Sequence, residues 1–211
     1  MTNLARTFLG LAFLATLLAN FPAQASELDK LLPGLKAGGH VLVFRHTATD
    51  DAQKDVFPFR FDDMKAQRQL SSAGKETARQ IGLAFKKMGV PVGLSFASKL
   101  NRAIETAELI TDSKPATKSE LTDTSAGSAS GMARPAGDNT KVGEAILVLV
   151  NTPPQPNTNT IIVTHKTNIA DAFGKDWGNV DDGEVLVFKP AGSRPQFVGR
   201  IKSREWTDAA R

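Results

Sequence analysis

Apolar residues gather along this chain in short runs that alternate with helical spacings. The first run, Val41 to Phe44, follows Gly38-Gly39 and shows no polar alternation. That marks a strand covered on both faces, as in a parallel sheet. Further strands are predicted over Val92 to Ala97, Ile161 to Thr164 and Val185 to Phe188, with an edge strand over Gln196 to Ile201. Between the first two, Ala78, Ile81, Phe85 and Met88 recur at a spacing that puts them on one helical face. Ser71 or Ser72 supplies the amino-terminal cap, and Gly89 and Pro91 end that helix. A second helix is predicted over Arg102 to Ile110 and a short one near Asn168 to Phe173. Val142, Ala145, Ile146 and Leu149 keep helical spacing, although Ile146 to Val150 alone also reads as a strand. Pro153, Pro154 and Pro156 then force an extended connector.

Two segments lack a period. From Thr47 to Arg68, five aspartates interleave with Phe57, Phe59 and Phe61, which predicts a loop with partly buried phenylalanines. From Thr111 to Thr140 the composition turns to Ser, Thr, Gly, Asp and Lys, the place for a substrate-facing loop. Strands alternating with helices predict an α/β fold: a three-layer α/β/α sandwich with a mostly parallel central sheet, in a single domain.

The amino terminus is read apart from this fold. Arg6 precedes the uncharged apolar stretch Phe8 to Ala19, and Ala23-Gln24-Ala25 is a small-x-small cleavage signal. That stretch falls well short of the ~20 residues a membrane-spanning helix needs. Residues 1–25 are therefore expected to be a cleaved signal peptide, and 26–211 an exported, periplasmic or secreted domain without a membrane anchor. The chain has no cysteine, which suits an oxidising compartment. Net charge is +4, but Lys86-Lys87 is the sole adjacent basic pair and no aromatics interleave with a basic stripe. Nucleic acid is not an expected partner; a modest attraction for anionic substrates is.

Candidate chemistry sits at strand ends. The chain has three histidines, and two of them, His46 and His165, close apolar strands. In open α/β sheets ligands bind beyond the strand carboxyl ends. Arg45 precedes His46, and Arg102 opens a predicted helix. Taken singly, each has a bland explanation: a polar loop, a hydrogen-bonded histidine, or an Arg102 ion-paired with Glu105 or Glu108. Together they make a pocket for a tetrahedral anion, most simply a phosphoryl group. A neutral imidazole can attack phosphorus and divide hydrolysis into two easier steps. Guanidinium forks suit the equatorial oxygens, and a helix amino terminus adds N–H groups. No His/Asp/Glu cluster at metal-ligand spacing is visible, so neither a metal nor another cofactor is expected. His40 precedes its strand and is read as structural; Asn168 is read as bracing the pocket or capping a helix.

The order Phe44-Arg45-His46-Thr47, Leu70-Ser71-Ser72-Ala73-Gly74, Ser98-x-x-x-Arg102-Ala103-x-x-Thr106-Ala107 and Val163-Thr164-His165 resembles the histidine phosphatase (phosphoglycerate mutase-like) superfamily. The resemblance runs from about Leu35 to Pro190 and is nearest to small secreted members such as periplasmic lipopolysaccharide heptose phosphatases. It implies that His46 is the nucleophile and that Arg45, Arg102 and His165 bind the phosphoryl group. Three departures stand out. Thr47 replaces the usual Gly or Ala, Lys166 follows the second histidine, and no proton donor is obvious. By the family pattern Asp123 in Leu121-Thr122-Asp123 is preferred as the acid. Glu184 before the strand at Val185 is the alternative, and Glu120 a third choice.

The expected function is an exported, metal-independent phosphomonoesterase acting on a small phosphorylated substrate, a sugar phosphate or similar. The alternatives are a phosphate-ligand binding module with little turnover and a phosphotransferase or mutase. A mutase is disfavoured because it needs substantial lids to exclude water. The sequence carries no signal for the natural substrate or the oligomeric state.

Overall fold

The computed structural model describes residues 25–122 and 139–211. The predicted signal peptide and Asp123 therefore lie outside the described residues, save Ala25. Among the described residues, six strands form one sheet in the order β3-β2-β4-β1-β5-β6. They are β1 (Val41–Arg45), β2 (Val92–Ala97), β3 (Ala116–Thr117), β4 (Asn159–Thr164), β5 (Val185–Lys189) and β6 (Gln196–Ile201). β1, β2, β3 and β4 run parallel, whereas β5 and β6 pair antiparallel. The helices are α1 (Glu27–Ala37), α2 (Ser72–Met88), α3 (Asn101–Thr111), α4 (Thr140–Val150), α5 (Lys166–Phe173) and α6 (Ser203–Ala210).

The unbroken apolar runs of β1 and β4 are explained by burial on both faces. Leu42 and Phe44 face a cluster with α1, α2, α3 and α6, while Val41 and Val43 face one with α4 and α5. The outcome is the expected three-layer α/β/α sandwich with a mostly parallel sheet. Each such side chain contributes roughly 1.5–3 kcal/mol by leaving water. The Ile146–Val150 ambiguity resolves as α4, because Ile146, Leu147 and Val150 make one face against the sheet.

Two helices lie where periodicity showed nothing. α1 carries Pro33 inside it and is held by a capping box in which Ser26 and Asp29 satisfy each other's backbone N–H groups. α6 packs chiefly through Trp206, which is buried against Phe85 with ring centroids 4.7 Å apart. The two-residue strand β3 is too short for any period to register.

At the amino-terminal end of the strands, the buried Asn159 closes the sheet. Its amide donates to the carbonyls of Leu35 and Pro91, and its oxygen accepts from the N–H of His40. The His40 ring contacts the Gly38 carbonyl at 3.0 Å, far along the strand from His46. Its structural reading holds.

The opposite end is where the connections part. α2 leaves β1 on one face of the sheet and α5 leaves β4 on the other, while β1 and β4 are neighbours. Such divergence opens a crevice beyond the strand carboxyl ends.

Candidate active site

Strand pairing delivers both histidines to this crevice. β1 and β4 are in register through Arg45 and Thr164, so the next residues, His46 and His165, stand side by side. The His46 N–H donates to the Thr164 carbonyl at 3.0 Å, and the two rings lie 5.1 Å apart at 61°. Both are almost fully buried, 3% and 2% exposed.

The protonation of His46 follows from its partner. Nδ1 lies 2.8 Å from the Thr47 carbonyl, which only accepts, so Nδ1 carries the hydrogen. Nε2 is left with its lone pair, the form a nucleophile needs. Burial holds the His46 imidazole well below its ordinary value of 6.5, and His165, Arg102 and Arg45 push the same way against the Thr47 contact. His165 is lowered likewise, first by burial and then by Arg102, Arg68 and Arg45. Both imidazoles are thus neutral near pH 7.

The arginines are held by separate elements. Arg45, last in β1, donates from one guanidinium nitrogen to the Val180 carbonyl at 2.7 Å and pairs with Asp182, also at 2.7 Å. Arg102 lies in the first turn of α3 and is 1% exposed. It pairs at 3.0 Å with Asp55 from the 47–68 loop, and not with Glu105, which instead meets Lys75. Asp55 also accepts from the N–H of Arg68, and the charge of Arg68 is felt at His165. Arg68 Nε and Arg45 Nε are buried without a hydrogen-bond partner among the described residues. A carboxylate therefore sits on a buried guanidinium beside two imidazoles, where an anionic ligand would sit.

Close packing fixes the remaining geometry. A Cβ on Gly74 would lie 2.0 Å from the Ala48 carbonyl, so only glycine lets α2 reach the chain just past His46. Gly183, at φ +71°, donates its N–H to the His46 carbonyl. The unusual Thr47 is buried, and its N–H and hydroxyl both meet the Thr106 hydroxyl at 3.2 Å, tying the histidine loop to α3.

The family profile described as histidine phosphatase superfamily (branch 1) matches residues 41–141, which span β1, α2, β2 and α3 with Arg45, His46 and Arg102. That match takes in just under half of the chain. Solved structures agree at the level of fold. The protein histidine phosphatase SixA complexed with tungstate is 17% identical, with TM-score 0.55, over 79% of this chain and 98% of that one. A mutant phosphoserine phosphatase from Entamoeba histolytica in complex with phosphoserine is 10% identical, with TM-score 0.52, over 78% and 98%. A mycobacterial glucosyl-3-phosphoglycerate phosphatase is 16% identical, with TM-score 0.51, over 76% and 96%. No curated protein sequence matches the chain.

Within this fold, Arg45, His46, Arg102 and His165 gather at the crevice. Glu184 is placed differently from a pocket carboxylate. It is fully buried, and its two oxygens are taken by Arg200, by Lys202 and by the Asp181 N–H. Glu120 is half-buried in a single helical turn, Ser119–Leu121. Asn168, in the first turn of α5, donates to the carbonyls of Glu120 and Thr122 at 3.1 and 3.2 Å. It braces the end of the Ser119–Leu121 turn. Asp55, Arg68 and Ser98 were not singled out from the sequence. Asp55 and Arg68 stand in an aperiodic segment that only folding brings to Arg102, while Ser98 closes a predicted strand and entered only as the first position of the Arg102 motif.

Proposed function

We propose that this protein is an exported phosphomonoesterase working through a phosphohistidine on His46. The observation that carries the reading is the contact of His46 Nδ1 with the Thr47 carbonyl, which requires Nδ1–H and so leaves the Nε2 lone pair beside a cluster of arginines. The phosphoryl group of a small substrate takes the position of the Asp55 carboxylate on Arg102, with Arg45, Arg68 and His165 completing the cradle. Nε2 attacks phosphorus and the ester oxygen departs with a proton from the acid. Water then attacks the phosphohistidine, gives its proton to the resulting carboxylate, and releases phosphate with the imidazole restored.

Asp123 is the proposed acid. Thr122, its neighbour, is anchored at this end of the sheet: its hydroxyl accepts from the Lys99 N–H, and its carbonyl from Asn168. Glu184 is the weaker alternative because its oxygens are already engaged. The chemistry proposed uses guanidinium and imidazole groups and needs no metal, so activity should persist in a chelator.

Rapid quench of the enzyme with labelled substrate, followed by peptide mapping, tests the mechanism. An acid-labile phosphoryl group is expected on His46, and His46→Ala should lose on the order of 10³–10⁶ in rate while still folding. Label on His165 or on a serine alone would overturn the assignment. Export is tested separately: the native protein should begin at Ser26, and an intact mass retaining residues 1–25 would reject it.

A further inference from the structure

Ser98, at the end of β2, is a residue the mechanism above does not use. It is fully buried, and its side chain makes two contacts: Oγ accepts from the Leu100 N–H at 3.1 Å and lies 2.9 Å from His165 Nε2. We infer that Ser98 is a positioning residue that sets the tautomer of His165, so that Nδ1 carries the hydrogen and presents it to the phosphoryl group. The inference rests on the reading that His165 meets that group.

Hydrogen-bond accounting decides between the two arrangements. A hydroxyl has one hydrogen to donate and two lone pairs. The Leu100 N–H already occupies one lone pair. If Nε2–H donated to the other, the buried hydroxyl hydrogen of Ser98 would have no acceptor, which is costly away from water. If instead Ser98 donates to Nε2, all three groups are satisfied. Nε2 is then the acceptor and the ring's hydrogen must sit on Nδ1. A backbone contact reaches the same result at His46, where the Thr47 carbonyl holds Nδ1–H and bares Nε2 for attack. Two imidazoles 5.1 Å apart thus receive opposite tasks, one aiming a lone pair and the other a hydrogen. A charged imidazole would donate from both nitrogens and need no such device. His165 is kept neutral by burial and by the arginines around it, so its tautomer determines whether it helps or repels an anion.

The ring nitrogens are read directly by long-range ¹H–¹⁵N correlation on the full chain labelled at histidine. There are three histidines, so single His→Gln variants assign each one. His165 should show a protonated Nδ1 and a bare Nε2 near neutral pH. In Ser98→Ala the ring should shift toward the Nε2–H tautomer, and inhibition by vanadate should weaken by about tenfold or more, the loss of one charge-assisted bond. Ser98→Thr, which keeps the hydroxyl, should restore both. A wild-type His165 protonated at Nε2 overturns the inference even if Ser98→Ala fails to fold. So does a Ser98→Ala protein with unchanged tautomer and vanadate affinity. The wild-type tautomer is measured without turnover. The expected ring in a protein that forms no phosphohistidine would therefore count against the proposed function and not against Ser98.

Discussion

At the scale of single residues, this site works by assigning each polar atom one task. The Thr47 carbonyl commits His46 Nδ1 to donation, and Val180 with Asp182 commits two Arg45 nitrogens, which fixes where its fork points. Glu184 is committed as well, to Arg200, Lys202 and the Asp181 N–H, which brace the start of β5. That occupation is the reason to expect the acid elsewhere. Asp123→Asn should lose about 10²–10⁴-fold on esters with poor leaving groups, and much less on nitrophenyl phosphate, whose leaving group needs little protonation. Parallel assays on the two substrates check this. If Asp123→Asn is near wild type on both and Glu184→Gln shows the selective loss, the acid is Glu184.

At the scale of elements, the 47–68 loop and α3 act as a pair. Gln67, fully buried, accepts from the Asn101 N–H with its side-chain oxygen and donates to the Arg60 and Phe61 carbonyls, fastening the loop to the start of α3. Phe57 and Phe59 are half-buried, their rings tilted by 56° with centroids 4.4 Å apart, while Phe61 is more exposed than the sequence pattern suggested. The loop thereby delivers Asp55 to Arg102. A carboxylate on that guanidinium competes with any phosphoryl group for the same donors. Asp55→Asn should tighten competitive inhibition by vanadate on the order of tenfold, since one charge-assisted bond no longer opposes binding. Steady-state inhibition measures it. Weaker inhibition in the variant would mean that Asp55 holds Arg102 in place and does not compete with the ligand.

At the scale of the whole molecule, two imidazoles buried neutral link folding to pH. Their folded values lie well below 6.5, so on acidification the unfolded chain binds protons that the folded protein refuses. Their contribution to stability is fully present above pH 6.5 and falls as pH drops from there toward the depressed folded values. The slope is at most about 1.4 kcal/mol per pH unit for each ring. Thermal melts between pH 7.5 and 5 should show a steeper loss for the wild type than for a His46→Gln, His165→Gln double variant. Equal slopes would mean that the rings titrate normally in the folded protein. Among the described residues no helix is long and apolar enough to cross a membrane.

Five of the six described strands, the helices with clean spacing and the four groups gathered at the crevice were legible because their signals are local. A buried strand needs consecutive apolar residues, α2 needs an apolar stripe with Ser71 and Gly89 at its ends, and the polar groups at strand ends adjoin those runs in sequence. Helix or strand over Ile146 to Val150 was undecided, because a short apolar run satisfies either geometry until a sheet lies beneath one face. α6 was invisible because it packs chiefly through Trp206, which meets Phe85 more than a hundred residues away. Asp55 and Arg68 were silent because a loop without a period carries them to Arg102 and into the field at His165, and Ser98, which closes a legible strand, meets a histidine 67 residues away. The sequence by itself determined which groups stand at the strand ends. Only the tertiary structure decided which nitrogen of each imidazole carries the hydrogen, because that depends on the acceptor or donor the fold sets against it.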